Sequence, residues 1–205
     1  MTKQTDTRTR IMDIAQDAVL AKGFDATSID EISAAAEITK GGFFYHFPDK
    51  NALALALIER HIESEDAIFD GLAARAQELS DDPLQAFLIE LRLLAELLED
   101  MPSGHPGCVV ATAAYQDRLF DARVREANRR AVLGWRSRFR AKLDGIAAAY
   151  PPREPADLDA LADMVNTVVE GGLVMSKALG EPHAIVGQIL LFRSFVKQLF
   201  QPARH

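Results

Sequence analysis

The sequence predicts an all-α protein with a small N-terminal three-helix domain and a larger C-terminal helical domain. Apolar residues recur at intervals of three and four along the 205 residues, and strand-like alternation is missing. Glycines, prolines and capping residues divide this pattern into about nine helices. The apolar fraction of 48% is typical of a folded globular protein. We therefore expect one domain at residues 1–50 and a second at residues 51–205.

The first three helices are predicted from the residues at their ends. The first covers about residues 7–22, and Gly23 ends it. Thr27 or Ser28 caps the second helix, whose first turn has the form of a capping box. Thr39 is a plausible N-cap for a short third helix.

Longer helices follow from Pro48 and Asp49, which together favour a helix start. Asp82 and Pro83 start another helix in the same way, and a segment rich in Gly and Pro ends it. The later helices are expected at about residues 83–100, 108–115, 118–149, 156–179 and 182–200.

Composition excludes several classes of protein. The single Cys108 rules out an internal disulfide framework and an all-cysteine zinc site, and it favours a cytoplasmic location. The polar first ten residues do not have the pattern of a secretory signal, and no run of about 18 apolar residues predicts a membrane span. No nucleophile, base and orienting group are recognisable as a set, so we expect no catalytic residues, no metal and no cofactor.

The net charge of −7 at first argues against a nucleic-acid partner. The first fifty residues hold six Lys/Arg against eight Asp/Glu, so even this part is not basic. DNA binding needs only a local basic surface, however. The positive charges here lie in the N-terminal arm and at Lys40 and Lys50.

Two segments, residues 27–32 and 39–50, form the motif on which a functional prediction rests. Together they predict two short capped helices joined by a tight turn and braced by the first helix. That is the helix-turn-helix arrangement, in which the second helix enters the major groove of DNA. Gly41 and Gly42 each cost a helix roughly 1 kcal/mol relative to Ala, and a close approach of the backbone to DNA would account for them.

The candidate DNA-contacting residues share polar or small side chains near the starts of the predicted helices. Thr39 and Lys40 can reach base edges or phosphates, and Tyr45 can donate to phosphates. Other interpretations remain open, because the threonines could be caps only and the whole string could merely stabilise a helical bundle. The full set is Thr27, Ser28, Thr39, Lys40, Gly41, Gly42, Tyr45, His46 and Lys50, whereas Phe43, Phe44 and Phe47 are expected in the core.

The stretch from Arg10 to Leu57 resembles the DNA-binding domain of the TetR family. The shared pattern comprises Gly-Phe and Ala-Thr-Ser before the second helix and a dense string from the third helix into the fourth. Two departures matter: Glu37 stands at the family's turn glycine, and Phe44 stands where a Tyr is usual. In this chain the matching residues are Gly23-Phe24, Ala26-Thr27-Ser28 and the fifteen residues Thr39–Leu53.

The resemblance implies a C-terminal domain that binds a small molecule and dimerises through its last two helices. Two apolar helices at the end of the chain could form a four-helix bundle with a second copy, although each could also only cover its own domain. The candidate interface residues are Val165, Val168, Gly172, Met175, Ile185, Ile189, Phe192 and Val196.

A ligand pocket is predicted in the larger domain, and we expect its lining to be apolar. Most of the candidates could equally be plain core, and His105 with Cys108 raises the less favoured alternative of a metal or thiol sensor. The candidate lining residues are Phe87, Leu91, Met101, His105, Cys108, Tyr115, Trp135, Phe139, Met164 and Thr167.

These observations predict a homodimeric transcriptional regulator that binds a two-fold operator in double-stranded DNA and responds to a small-molecule inducer, most simply as a repressor. The rivals are a helical small-molecule carrier and a helical enzyme, each with a non-functional DNA-binding domain. An arginine-rich stretch from Arg118 to Lys142 is interpreted as a solvated helix face paired with acids. An anionic-ligand surface is the alternative there.

Overall fold

The helices begin where the sequence places capping residues. In the computed structural model, which describes residues 6–201, Ser28, Thr39 and Asp82 each precede a helix. Each side-chain oxygen accepts a hydrogen bond from the backbone N–H three residues later, at 2.8–3.1 Å. These bonds satisfy amides that have no partner inside the helix. The three predicted starts are therefore confirmed, with Ser28 rather than Thr27 as the cap of the second helix.

The part of the chain between residues 6 and 201 contains nine α-helices and no strand, which confirms the all-α prediction. A short 3₁₀ turn at Asp117–Leu119 separates the sixth helix from the seventh. The helices are α1 (Thr7–Ala26), α2 (Ile29–Ala35), α3 (Lys40–His46), α4 (Lys50–Leu79), α5 (Pro83–Glu99), α6 (Val109–Tyr115), α7 (Ala122–Ala149), α8 (Leu158–Leu179) and α9 (Ala184–Phe200).

Gly23 interrupts α1 rather than ending it. Its backbone has φ 85° and ψ 166°, a conformation that side-chain-bearing residues rarely adopt, and helical structure resumes beyond it. A Cβ atom at this position would also lie 3.0 Å from Nε2 of the Gln116 side chain. The Gln116 Oε1 accepts a hydrogen bond of 2.8 Å from the Phe24 N–H, so it satisfies an amide that the interruption leaves open. Glycine is thus required at residue 23.

The contacts divide the chain into two compact units. The first holds the chain up to Ser64 together with Pro106–Ala131, and the second holds Glu65–His105 together with the chain from Val132 onward. The core of the first unit is built from α1, α2, α3 and α6 with parts of α4 and α7. The predicted division at residue 50 stays a prediction, because long helices such as α4 contribute residues to both units.

The core of the second unit includes a close contact between α8 and α9. A Cβ atom on Gly172 would lie 2.7 Å from Cγ1 of Ile185 and 2.9 Å from its Cα. Only glycine allows this approach, because a backbone atom cannot move aside as the end of a side chain can. The two helices therefore pack on each other within one protomer.

This packing corrects the predicted dimer interface. Most of the predicted residues are buried inside the protomer, where they hold α9 against its neighbours, so they cannot offer a surface to a second copy. Val168 is half-buried, and Met175 alone of the eight is exposed. The buried residues are Val165, Gly172, Ile185, Ile189, Phe192 and Val196.

The arginine-rich stretch is a paired, solvated helix face. Arg136 lies 2.6 Å from Asp163, Arg138 contacts both Asp66 and Asp70, and other arginines of α7 pair with acids in the same way. Exposed pairs of this kind add little stability each. The interpretation as a solvated face paired with acids agrees with these contacts.

Candidate functional site

One face of α3 is exposed and chemically distinct. Lys40, Gly41, Phe44 and Tyr45 are all exposed, and their spacing of one, four and five residues places them on the same side of the helix. The opposite side carries Phe43, which is completely buried. The helix therefore rests on an aromatic core and presents a cation, a glycine backbone and a phenol to the outside.

Phe44 corrects part of the prediction that all three phenylalanines of this segment lie in the core. Its side chain is 46% exposed, whereas Phe43 and Phe47 are buried. The Phe44 ring packs edge-on against Phe43 at a centroid distance of 5.6 Å. It thus covers the core from the outside and adds an apolar element to the exposed face.

Lys40 is held by an ion pair that is easily exchanged. Its Nζ lies 2.7 Å from Oδ1 of Asp30 on α2, and both side chains are more than 60% exposed. Solvated pairs contribute about 0–1 kcal/mol, so a phosphate oxygen can replace the carboxylate at little cost. Tyr45 is 86% exposed, and its ring packs edge-on against His46. These residues stay available to a polyanion.

Ser28 and Thr39 combine capping with exposure. Each hydroxyl oxygen accepts a backbone hydrogen bond, and each side chain lies at the surface. A hydroxyl that accepts such a bond still has its hydrogen to donate. Capping and phosphate contact are therefore compatible at both positions.

Two residues predicted to contact DNA form hydrogen bonds within the protein. Thr27 is 1% exposed, and its hydroxyl donates a hydrogen bond of 2.8 Å to the carbonyl of Gly23. The Lys50 ammonium donates to the carbonyl of Phe24, and burial lowers its pKa, although Asp25 nearby acts in the opposite direction. Both side chains brace the end of α1. The prediction that Thr27 contacts DNA is corrected because its side chain is buried, whereas the contact by the half-buried Lys50 stays a prediction.

The glycines of α3 are not required by packing within the protein. A Cβ atom on Gly41 would meet only Oγ1 of Thr39 at 3.7 Å, which is ordinary van der Waals contact. On Gly42 the nearest atom would be Cβ of Ile38 at 3.4 Å. Alanine would therefore fit at both positions and would stabilise the helix by roughly 1 kcal/mol each. A close approach of another molecule to the backbone would account for their presence.

Family models match both parts of the chain. Residues 11–57 match the model described as bacterial regulatory proteins, tetR family, and residues 83–185 match the C-terminal domain of the LmrA/YxaF-like transcriptional regulators. The second match alone spans half of the chain. The chain belongs to the TetR family. It is a DNA-binding transcriptional regulator, and α2, the turn and α3 are its helix-turn-helix.

Relatives and solved structures agree with this assignment. The chain is 24% identical to the uncharacterized regulator YxaF of Bacillus subtilis over 86% of its own length and 87% of that relative. It is 35% identical to the Escherichia coli repressor NemR, over 30% of the chain and 32% of NemR. A TetR-family regulator from Agrobacterium tumefaciens has the same fold, with a TM-score of 0.76, 21% identity and coverage of 95% and 98% of the two chains. In TetR-family proteins, DNA is bound by homodimers.

The turn of this TetR-family regulator carries a strained residue. Glu37 has φ 54°, in the left-handed region that favours glycine, and its amide donates to the carbonyl of Ala34. Its exposed carboxylate is on the turn that leads into α3. The residue that departs from the family pattern therefore adds both backbone strain and a negative charge beside the DNA-binding face.

Replacing Glu37 with Gly is expected to raise the free energy of unfolding by about 0.5–1 kcal/mol, because left-handed backbone costs roughly 1–2 kcal/mol for residues with a Cβ and glycine loses part of this gain in chain entropy. Urea denaturation measures the difference. Glu37→Ala is the matched control, since it removes the charge but keeps the strain. A Glu37→Gly protein no more stable than Glu37→Ala would show that the turn is unstrained.

The second unit contains a cavity of about 320 Å³ between α4, α5 and α7. Four alanines, Pro83 and Phe87 form the apolar part of its wall, and Gln77, Glu90 and Lys142 form the polar part. The lining is thus mostly apolar with one charged pair, and the assignment of this cavity as the predicted ligand pocket stays a prediction. A single carboxylate–ammonium pair does not make a nucleophile, base and orienting group, and the family is one of regulators rather than enzymes.

Among the predicted pocket residues, Phe87 lines this cavity. Leu91, Trp135 and Phe139 are buried in the second unit without lining it. Met101 and His105 are half-buried in the segment that follows α5. The spacing of these predicted pocket residues in the sequence indicates that they face inward. Core residues and pocket residues share that property, so the spacing does not distinguish them.

Three further candidates lie at the surface, which corrects their assignment to a pocket. Tyr115 is 85% exposed, Met164 is exposed, and Thr167 is exposed with its hydroxyl donated to the carbonyl of Asp163. None of them lines the cavity. They lie on the outer side of helices whose opposite sides are buried.

Cys108 is the N-cap of α6. Its Sγ accepts from the Ala111 N–H at 3.3 Å and lies 3.4 Å from Nε2 of His61. The thiol is buried in the first unit, so it packs as a small polar cap. Among residues 6–201, no group of three His, Cys, Asp or Glu side chains is arranged to hold a metal ion.

Glu90 and Lys142 were not predicted to line a cavity, although the position of each in an apolar helix stripe indicates burial. Glu90 follows Phe87 by three residues and precedes Leu94 by four, so it occupies a core position in the apolar stripe of α5. Lys142 follows Phe139 by three residues in the same way. A charged residue in such a stripe is a candidate for a buried pair.

Proposed function

We propose that this chain is a homodimeric repressor that binds a two-fold operator in double-stranded DNA and releases it when a small molecule binds. The exposed face of α3, with Lys40, Gly41 and Tyr45, is the observation that carries the proposal. NemR, which is 35% identical to this chain over 30% of its length, is a repressor. We place the action of the protein in the cytoplasm and expect no membrane partner; within the described residues, no helix is long and apolar enough to span a bilayer.

Exposed apolar side chains on the last two helices support dimerisation, and Met175 is the one residue of the predicted interface among them. Apolar side chains remain exposed on both α8 and α9, and unusually large apolar surface marks association sites in soluble proteins. Met175 and Leu179 lie one turn apart on α8, and Leu191 and Phe195 lie one turn apart on α9. A second copy that covers these side chains would form a four-helix bundle.

Ligand response would follow from a shift between two conformations. A dimer places its two α3 helices in successive major grooves, which are about 34–36 Å apart. A small molecule that binds more tightly to a conformation with a different spacing favours that conformation and lowers DNA affinity. Ligand and DNA then oppose each other through the same equilibrium.

Replacing Lys40 and Tyr45 with Ala is expected to weaken binding to the DNA flanking the protein's own gene by about 10–100-fold. Loss of one cationic phosphate contact per subunit, that of Lys40, should also lower the slope of log affinity against log salt by about 2 for a dimer. Fluorescence anisotropy over a range of salt concentrations measures both quantities.

The matched control is the pair Arg75→Ala and Tyr115→Ala. Arg75 forms an exposed ion pair at 2.7 Å as Lys40 does, and Tyr115 is as exposed as Tyr45. These substitutions should leave DNA affinity unchanged. Equal affinity of the Lys40/Tyr45 variant and the unmodified protein would instead favour a small-molecule carrier with a non-functional DNA-binding domain.

A further inference from the structure

The cavity in the second unit contains a buried carboxylate that is only half satisfied. Glu90 is 5% exposed, and its Oε2 lies 2.5 Å from Nζ of Lys142. Its Oε1 is also buried and has no hydrogen-bond partner among the described residues. Glu90 lines the cavity, so a rotation of its carboxylate would bring this acceptor to a space that another molecule can enter.

Such an acceptor requires an explanation. Almost all buried polar atoms in folded proteins have a hydrogen-bond partner, and an unsatisfied one is destabilising. The cavity volume of about 320 Å³ lies at the lower end of the range for small-molecule sites. A small ligand that brings a hydrogen-bond donor would satisfy Oε1 and fill the cavity.

The charges of the site restrict the class of ligand. Lys142 balances the charge of Glu90, so a cationic ligand would meet the ammonium and an anionic ligand would meet the carboxylate. Phe87 and the alanines offer an apolar surface to the remainder of the molecule. We propose that this cavity binds a small neutral molecule that has an aromatic or similarly apolar body and donates a hydroxyl or amide hydrogen to Glu90. This inference rests on the proposed ligand response and names the chemistry of the ligand.

Three probes with one ring system and different polar groups test the proposal: 2-naphthol, 2-naphthoate and 2-naphthylmethylammonium. Calorimetric titration of the full chain should show naphthol binding at least about 10-fold more tightly than either ion, since a hydrogen bond to a charged acceptor is worth that factor or more. Glu90→Gln should reduce naphthol binding by a similar factor, because an uncharged amide has one acceptor oxygen in place of two charged ones. Equal or tighter binding of an ion would overturn the proposal.

A pair of neighbouring substitutions locates the binding. Ala73 lines the cavity, whereas Ala74 is exposed and does not. Ala73→Leu should abolish naphthol binding, and Ala74→Leu should leave it unchanged. If both variants bind as the unmodified protein does, the cavity is not the site. Circular dichroism confirms that each variant is folded before titration.

DNA binding measured in the same samples separates the two proposals. Selective naphthol binding without loss of DNA affinity would support the cavity assignment and overturn ligand-controlled release through it. Release of DNA by other compounds, with no naphthol binding, would overturn the cavity assignment and leave the repressor proposal standing.

Discussion

Replacing Lys142 with Met is expected to lower the free energy of unfolding by about 3 kcal/mol, because removal of one partner leaves the other charge buried and uncompensated. The Lys142 ammonium lies 2.5 Å from the Glu90 carboxylate, which is almost completely buried. Methionine keeps the length and the apolar part of the lysine side chain, so the loss reports the charge rather than the volume. Urea denaturation at pH 7 measures the effect.

The loss in Lys142→Met should depend on pH. Burial already raises the pKa of Glu90 above its ordinary value of 4.5, while Lys142 acts in the opposite direction. Without Lys142 the pKa rises further, so the folded state binds more protons than the unfolded state over the interval between the two values. Stability then falls as the pH rises through that interval. The deficit should therefore be smaller at pH 5 than at pH 8.

The double variant Glu90→Met/Lys142→Met is the control for this prediction. Replacing both members of a buried pair with apolar residues is often neutral or stabilising, so the double variant should recover most of the stability that the single variant loses. It should also lose the added pH dependence. A single variant as stable as the unmodified protein at pH 8 would mean that water reaches Glu90 freely.

Replacing Leu191 with Asp is expected to separate the dimer into monomers. Leu191 is 66% exposed on α9, and each substitution occurs twice in a two-fold dimer. Loss of two buried leucines removes about 3–6 kcal/mol of apolar burial, and the two new carboxylates add a desolvation cost. Sedimentation velocity measures the mass, and operator affinity should fall with it because one recognition helix cannot span two half-sites.

Leu79→Asp is the matched control, since Leu79 is an exposed leucine on α4. It should leave both the mass and the operator affinity unchanged. A Leu191→Asp protein that remains dimeric would show that the exposed apolar side chains of α9 are not the association surface. Circular dichroism distinguishes dissociation from unfolding.

The helix ends could be predicted from sequence because they are local. Ser28, Thr39 and Asp82 accept hydrogen bonds from amides only three residues away. The sequence pattern that defines each helix start therefore spans only a few consecutive residues. The exposed face of α3 was predictable for the same reason. The hydrogen bonds of Lys50 and Thr27 could not be predicted because their partners, the carbonyls of Phe24 and Gly23, become available only through the interruption of α1.

The interface and the cavity could not be read in the same way. The most apolar positions of α8 and α9 were expected to face a second copy, but a helix in a small domain first buries its most apolar side within its own chain. Val165 and Ile189 therefore lie inside the protomer, and Leu191 stays outside. Periodicity identifies a buried face without telling which neighbour covers it, and it does not show that Glu90 and Lys142 meet.

At Gly41 in α3, helix stability and DNA binding favour different residues. An alanine fits at Gly41 without a clash, so selection for heat resistance alone would favour Gly41→Ala. Each selected variant would then carry an extra methyl group on the exposed face of α3. Directed evolution of this protein for thermostability should thus enrich alanine at this position only when DNA binding is not part of the screen. The frequency of alanine at residue 41 would then show whether the screen selected for stability alone or also for DNA binding.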